Sequence, residues 1–307
     1  MSAILKDRVA IVTGGARGIG LAVAESFSRL GAKVVIADSG VSIDGNIPDP
    51  GVVVTAAQKC GADAFSEDIA APGAADRLVK QTLDRFGAVD IVINNAAILR
   101  DAFIFKGKRE DFERVIATNL SAPFLLLAAA TPAMRDQAKS GRAPGRIVNL
   151  VSSAGLVGNF GQSAYAAAKA GLFGLTRVVA MDMARSKVAC NAVAPFAATR
   201  VTESIQPANE AQTAYKVQAL KAPAHYVARL IAFLASNMHE ISGQLFGVRG
   251  RELFIFSQPR PEARALMAAG TSWDAHALKS MIESELAPQF ADLATDLELF
   301  NSEPLVS

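Results

Sequence analysis

Short apolar runs rich in β-branched residues alternate along this chain with longer stretches in which apolar positions recur every three or four residues. The apolar runs fall at residues 9–13, 33–38, 64–68, 89–94, 145–151, 187–193 and 244–248. Between them the helical period predicts helices over 21–30, 52–60, 74–86, 110–130, 163–183 and 223–235, the fourth bent at Pro123. Runs that are apolar throughout fit strands covered on both faces. Strands separated by helices build βαβ units and a parallel sheet. The expected fold is therefore α/β, a doubly wound parallel sheet in a single domain over residues 1–256.

The pattern changes after Phe256. Pro259 and Pro261 break the chain, and helical periodicity then runs from Trp273 to Phe300 through Leu278, Met281, Ile282, Leu286, Phe290, Leu293 and Leu297. Residues 257–307 are expected to form a C-terminal helical extension, interrupted at Pro288. It is too short to be a domain. Its expected role is packing on the core or on a neighbouring subunit, with closure of a substrate pocket as the alternative.

Composition narrows the classes. The chain has 307 residues, 51% hydrophobic and 20% charged, which excludes low-complexity disorder. Lys and Arg number 31 against 29 Asp and Glu, so no global field invites nucleic acid. The two cysteines, Cys60 and Cys190, form no framework, and a reducing compartment fits them. Few Cys and His leave no metal site to expect. The N-terminus shows no leader, and the apolar stretch 122–130 is short of the roughly 20 residues that span a bilayer. A cytoplasmic protein without membrane partners is expected.

Chemistry enters at the first strand-to-helix turn. Thr13-Gly-Gly-Ala-Arg-Gly-Ile-Gly20 places glycines at 14, 18 and 20, where the backbone turns tightly before a helix N-terminus. Such a turn cradles a pyrophosphate, although a plain tight turn uses the same residues. Asp38 closes the second strand, where a carboxylate accepts hydrogen bonds from ribose hydroxyls and repels the 2′-phosphate of NADP. A simple strand-end aspartate is the competing reading. Arg17, inside the loop, leaves NADP possible.

Tyr165 and Lys169 stand four apart on one helix face. A lysine cation beside a phenol lowers its pKa from about 10 toward useful values. A snorkelling helix pair has the same spacing. Ser152 follows the fifth strand, where a hydroxyl can polarise a substrate carbonyl, and adjacent Ser153 is a rival for that role. Lys106, Lys108 and Arg109 read as a solvated helix entrance.

Together these residues resemble the short-chain dehydrogenases/reductases. The resemblance covers about residues 5–250 and adds Asp68-Ile69, Asn94-Asn-Ala-Ala97, Asn119 and Asn191-Ala-Val-Ala-Pro195 with Thr199. It implies a Rossmann-type catalytic domain. Tyr165 would be the general acid/base, with Lys169 lowering its pKa, Ser152 orienting the carbonyl and Asn119 anchoring a proton-relay water. It implies an NAD site built from Gly14, Arg17, Gly18, Ile19, Gly20, Asp38, Asp68, Ile69, Asn94, Ala96, Tyr165, Lys169, Pro195 and Thr199. It also implies a homodimer or homotetramer built on the long helices.

Two positions depart from the family pattern. Ala97 stands for glycine, and Phe196 follows Pro195 in place of glycine, which would narrow or seal the pocket. Asn94–Asp101, Gly158–Gln162 and Ala194–Thr202 further resemble the (3R)-hydroxyacyl-CoA dehydrogenase unit of peroxisomal-type multifunctional β-oxidation enzymes. The implied substrate is a 3-hydroxyacyl thioester or another lipophilic alcohol or ketone. An NADPH-dependent 3-oxoacyl-thioester reductase and a hydroxysteroid dehydrogenase are the alternatives within the class. A non-catalytic NAD-binding regulator is the alternative outside it. Residues 196–223 are expected to form the lid.

Overall fold

A computed structural model describes residues 3–204, 206–207, 209–259, 261–266, 270 and 274–300. The first half runs β1 (Val9–Thr13), α1 (Gly18–Arg29), β2 (Lys33–Ala37), α2 (Pro50–Cys60), β3 (Asp63–Phe65), α3 (Ala74–Phe86), β4 (Ile91–Asn94), α4 (Arg109–Ile116) and α5 (Ala122–Lys139). The second half runs β5 (Arg146–Leu150), α6 (Ser163–Asp182), β6 (Ala189–Phe196), α7 (Arg200–Ser204), α8 (Glu210–Ala219), α9 (His225–Ala235), β7 (Leu245–Arg249), β8 (Glu252–Ile255), α10 (Ala275–Met281) and α11 (Asp296–Leu299).

The sheet order is β3-β2-β1-β4-β5-β6-β7-β8, parallel through β7. The order reverses between β1 and β4, and a crevice opens there at the carboxyl ends of the strands. Strand alternation assigns each apolar side chain to a face. Val12, Ile36, Ile93 and Val148 meet Val23, Phe27, Val227 and Ile231 of α1 and α9. Ile11, Val35, Val92 and Ile147 meet Leu78, Leu126, Ala130 and Met134 of α3 and α5. Each of these buried Val, Leu, Ile, Phe and Met side chains contributes about 1.5–3 kcal/mol through burial.

Three elements differ from the sequence expectation. β8 is an antiparallel edge strand paired Phe246↔Ile255 to Arg249↔Glu252, so residues 244–248 are not the last strand. Its side chains alternate between partly covered and exposed, as an edge with one solvated face does. The fourth helix does not end at 130. A single π turn at Ala117–Ser121 separates α4 from α5, which continues to Lys139. Pro123 lies in the first turn of α5, where its missing N–H breaks no helical bond, so the irregularity falls before it. Residues 109–139 are long and apolar enough to cross a bilayer by length and composition, yet Ala122, Leu126, Leu127, Ala130 and Met134 are buried in the core.

The third difference is the C-terminus. The chain divides into two units, one of residues 257–294 and one of residues 1–256 with 295–307. In the smaller unit α10 passes into a π turn at Ile282–Leu286, and none of Leu278, Met281, Ile282, Leu286, Phe290 or Leu293 is buried. The expected interruption at Pro288 falls in a short 3-10 turn, and of the apolar stripe only Leu297 is buried. Trp273 lies outside the described residues, as do 301–307. From Thr295 the chain belongs to the larger unit. There Leu297 is buried with Phe196, Tyr215 and Ala219.

Candidate active site

The turn after β1 is held from behind. The Thr13 hydroxyl donates to the Ile93 carbonyl at 3.2 Å and accepts from the Asn95 and Ala96 amides at 3.0 and 3.1 Å. The Asn95 side chain donates to the carbonyls of Thr13 and Gly14 at 2.9 and 3.0 Å. Gly14 adopts φ +62°, a left-handed conformation that favours glycine. A Cβ on Gly20 would lie 2.1 Å from the Gly14 carbonyl oxygen, so only glycine lets α1 start this close to the loop. The Arg17 N-cap makes no side-chain cap, which leaves the first-turn N–H groups of α1 for a ligand.

A cleft of about 240 Å³ opens here. It brings together Gly14, Arg17, Gly18, Ile19, Asp38, Asp68, Ile69, Ala96, Ser152, Tyr165, Lys169, Pro195 and Thr199. Gly20, Asn94 and Asn119 are not among its lining residues. Asn94 is turned into the sheet, donating to the Asn149 side chain at 2.8 Å, and it is Asn95 that faces the cleft. Asn119 lies fully buried in the π turn, its amide spent on both backbone groups of Ile98 at 2.9 Å. Its side chain therefore pins the β4 loop from within the π turn.

Asp38 accepts from the Ala16 amide at 3.1 Å and the Gly40 amide at 2.8 Å. Arg17 donates to the carbonyls of Gly40 and Val41, both at 3.1 Å. Arg200 reaches the same Val41 carbonyl at 3.3 Å, and the charges of Arg17 and Asp38 both act on it. Asp68 is ion-paired with Arg114 at 2.6 Å.

Across the cleft, Lys169 is buried and donates to the Leu150 carbonyl at 2.7 Å. Its nitrogen lies 5.6 Å from the centroid of the Tyr165 ring. Burial pushes the ammonium down to about 8. Burial likewise pushes the Tyr165 phenol up to about 12; a hydrogen bond with Ser152 opposes this, and the charges of Asp296 and Asp101 add to it. The cation stands over the ring, and desolvation is the largest influence on the phenol. The two serines differ in their partners. The Ser153 hydroxyl donates to Asp296 at 2.8 Å, whereas the Ser152 hydroxyl accepts the Ala154 amide and stands in the cleft beside Tyr165.

A family model described as short chain dehydrogenase matches residues 8–212. The chain belongs to the short-chain dehydrogenase family. It is 38% identical over 301 residues to a hydroxyacyl-CoA dehydrogenase, ChsB1, of Mycobacterium tuberculosis, covering 95% of this chain and 94% of that one. It is 36% identical over 245 residues to the peroxisomal multifunctional enzyme type 2 of Mus musculus, covering 78% of this chain but 31% of that longer protein. The crystal structure of a short chain dehydrogenase from Mycobacterium avium superposes with a TM-score of 0.75 at 32% identity, covering 92% of this chain and 97% of that one. The resemblance read from the motifs thus holds, both for the family and for its hydroxyacyl-CoA branch.

As a short-chain dehydrogenase the protein is an oxidoreductase of a family that binds nicotinamide cofactors. The residues fit such a group: bare glycine backbone at 14 and 18, uncapped α1 amides, and Asp38 at the end of β2. Gly18 looks across the cleft at Thr199, whose methyl would lie 3.6 Å from an added Cβ.

The sequence reading missed the part of the wall that comes from beyond residue 294. Phe196 packs on Phe300 with ring centroids 4.6 Å apart and on Phe254 at 6.1 Å. The phenylalanine that replaces the family's glycine is thus an anchor for the returning C-terminus. Asp296 and Tyr215 also line the cleft. No local signal marks Asp296, because its partner Ser153 lies 143 positions away.

Proposed function

We propose that this short-chain dehydrogenase interconverts a 3-hydroxyacyl thioester and its 3-oxo counterpart, using NAD. The observation that carries the reading is the Ser152 hydroxyl beside the buried Tyr165–Lys169 pair, in a cleft walled by Phe196, Val201, Tyr215 and Leu297. The match to a hydroxyacyl-CoA dehydrogenase along nearly the whole chain supports the substrate class. Ser152 donates to the reacting oxygen. Tyr165 takes the hydroxyl proton at its phenolic oxygen during oxidation and returns it during reduction. The nicotinamide, when bound, supplies the hydride acceptor or donor. A phenol at about 12 keeps its proton at neutral pH, so the site by itself is set to give a proton, the requirement of reduction.

NAD is favoured by Asp38, whose carboxylate would meet a 2′-phosphate with like charge. Arg17 and Arg200 beside it support a second reading, an NADPH-dependent reductase of the same thioesters. Exposed Phe112, Phe124, Leu125, Val178 and Met181 on α4, α5 and α6 support a homo-oligomer through these helices.

The test follows NADH absorbance with 3-hydroxyacyl-CoA thioesters, steroid alcohols and simple secondary alcohols as substrates. Tyr165→Phe should lose about 10²–10⁴-fold in turnover while still binding NAD. Turnover of only the simple alcohols would refute the thioester reading. Full activity in Tyr165→Phe would remove Tyr165 from the chemistry.

A further inference from the structure

One buried titratable group in the cleft has no part in the reaction described so far. Asp296 is 6% exposed, and the chain brings it back from beyond residue 294 to line the same cavity as Ser152 and Tyr165. Its amide donates to the Gly158 carbonyl at 3.1 Å, and its Oδ2 accepts from the Ser153 hydroxyl at 2.8 Å. Its Oδ1 is buried and has no hydrogen-bond partner among the described residues. Asp296 pairs with no cation among those residues. A buried polar atom left unpaired costs about 1–3 kcal/mol, so a group that fills this position is favoured.

The geometry points to Asp296 as a substrate-positioning residue: as a neutral acid, its Oδ1–H donates to a second carbonyl oxygen of the substrate. In the thioester reading, on which the choice of this class rests, that oxygen is the thioester carbonyl beside the reacting ketone. The ligand class is thus a 1,3-dicarbonyl, held by Ser152 and Tyr165 at one oxygen and by Asp296 at the other.

The surroundings favour the neutral form. Burial pushes the carboxyl up to about 6, opposed by the Ser153 hydroxyl and, more weakly, by the backbone amides of Leu297 and of Asp296 itself. The ionisable groups facing it are Tyr165 of α6 and Tyr215 of α8, both of which feel its charge. Behind them Asp101 acts on Tyr165, and Arg249 of β7 acts on Tyr215. The Arg249 guanidinium is itself ion-paired with Glu252 at 2.5 Å. A substrate that closes the cleft removes more water and favours the neutral acid further. The acid is present below about pH 6 and is lost as pH rises through that value.

The experiment measures NADH-dependent reduction of pentane-2,4-dione and pentan-2-one by wild type, Asp296→Asn and Asp296→Ala from pH 5 to 8. The quantity read is the ratio of the two KM values within each protein, which cancels damage common to both ketones. Wild type should favour the dione by about tenfold at pH 5 and lose that preference by pH 8, one hydrogen bond's effect. Asp296→Asn, a permanent neutral donor, should hold the preference at every pH, and Asp296→Ala should lack it throughout. A wild-type ratio flat with pH, an equal ratio in Asp296→Ala, or no turnover of either ketone overturns the assignment. Acetoacetyl-CoA, assayed in parallel, tests the thioester reading. Its failure alongside the expected dione ratios would sink that reading and leave Asp296 as a dicarbonyl-positioning group.

Discussion

Lys169 on α6 donates to the Leu150 carbonyl at the end of β5, 2.7 Å away. The bond ties the catalytic helix to the strand from which Ser152 emerges, so acid, cation and polarising hydroxyl share one rigid support. It also holds the ammonium in a buried position, where its charged form is lost as pH rises through about 8. Tyr165, pushed up to about 12, still carries its proton there. Reduction needs the phenol proton and the cation beside it. The kcat/KM for ketone reduction should therefore fall as pH rises through about 8. Lys169→Arg should move that fall upward, because a guanidinium keeps its charge. A descending limb that stays near 8 in Lys169→Arg would belong to another group.

Asp38 has two tasks that one substitution separates. Its oxygens accept the Ala16 and Gly40 amides, which shapes the loop, and its charge faces the position of a 2′-phosphate. Asp38→Ala should raise the kcat/KM ratio of NADPH to NADH at least about tenfold, since Arg17 and Arg200 remain. It should also lower stability by about 1–3 kcal/mol, because two amides lose their acceptor. Steady-state kinetics with both coenzymes and a denaturant titration read the two effects. A fall in stability with no change in preference would leave Asp38 a purely structural cap.

The sequence marks local chemistry well and long-range chemistry poorly. Glycines 14, 18 and 20 are legible because a strand-turn-helix crossing needs them within a few residues. Tyr165 and Lys169 are legible because helical spacing puts them on one face. Asn94 and Asn95 are harder. They sit where β4 ends, and one step along a strand sends a side chain to the opposite face, so the pattern alone does not say which meets the cleft. The π turn at Ala117–Ser121 leaves no compositional trace, whereas Pro123, which looks like a bend, starts α5 without strain. Asp296 is illegible because its meaning depends on Ser153 and on a chain reversal beyond residue 294.

Asp90 is the buried charge on which the amino-terminal ends of the strands close. It is fully buried and accepts from the Val9 amide at 2.8 Å and from two Arg142 nitrogens at 2.6 Å each. Arg8 lies 3.9 Å from it, and burial lowers that guanidinium to about 10 despite the pull of Asp90. Removing the carboxylate strands Arg8 in the interior. Asp90→Ala should cost about 3–5 kcal/mol, as breaking one side of a buried pair does. Urea unfolding measures it. A loss below about 1 kcal/mol would mean that water reaches Arg8 in the variant.

Phe300 makes the return of the C-terminus a testable part of the active-site wall. Its ring packs on Phe196, and its carbonyl accepts from Arg249 at 3.1 Å. Leu297, one turn earlier, is buried against Tyr215 and Ala219 of α8. The segment from Thr295 to Phe300 thus holds α8 on one side and the end of β6 on the other. It enters the cleft through Asp296 and Leu297, which pack beside Ser153 and Tyr215, so cofactor and substrate should respond differently to its loss. Leu297→Ala should remove about 2–5 kcal/mol of local packing. Because α11 has only four residues, that loss should free the segment rather than unfold the domain. The expected signature is faster hydrogen exchange at residues 295–300 and a KM for acyl thioester raised several-fold, with the NADH dissociation constant unchanged. Equal weakening of NADH and thioester would show that the segment supports the whole cleft instead of its substrate side.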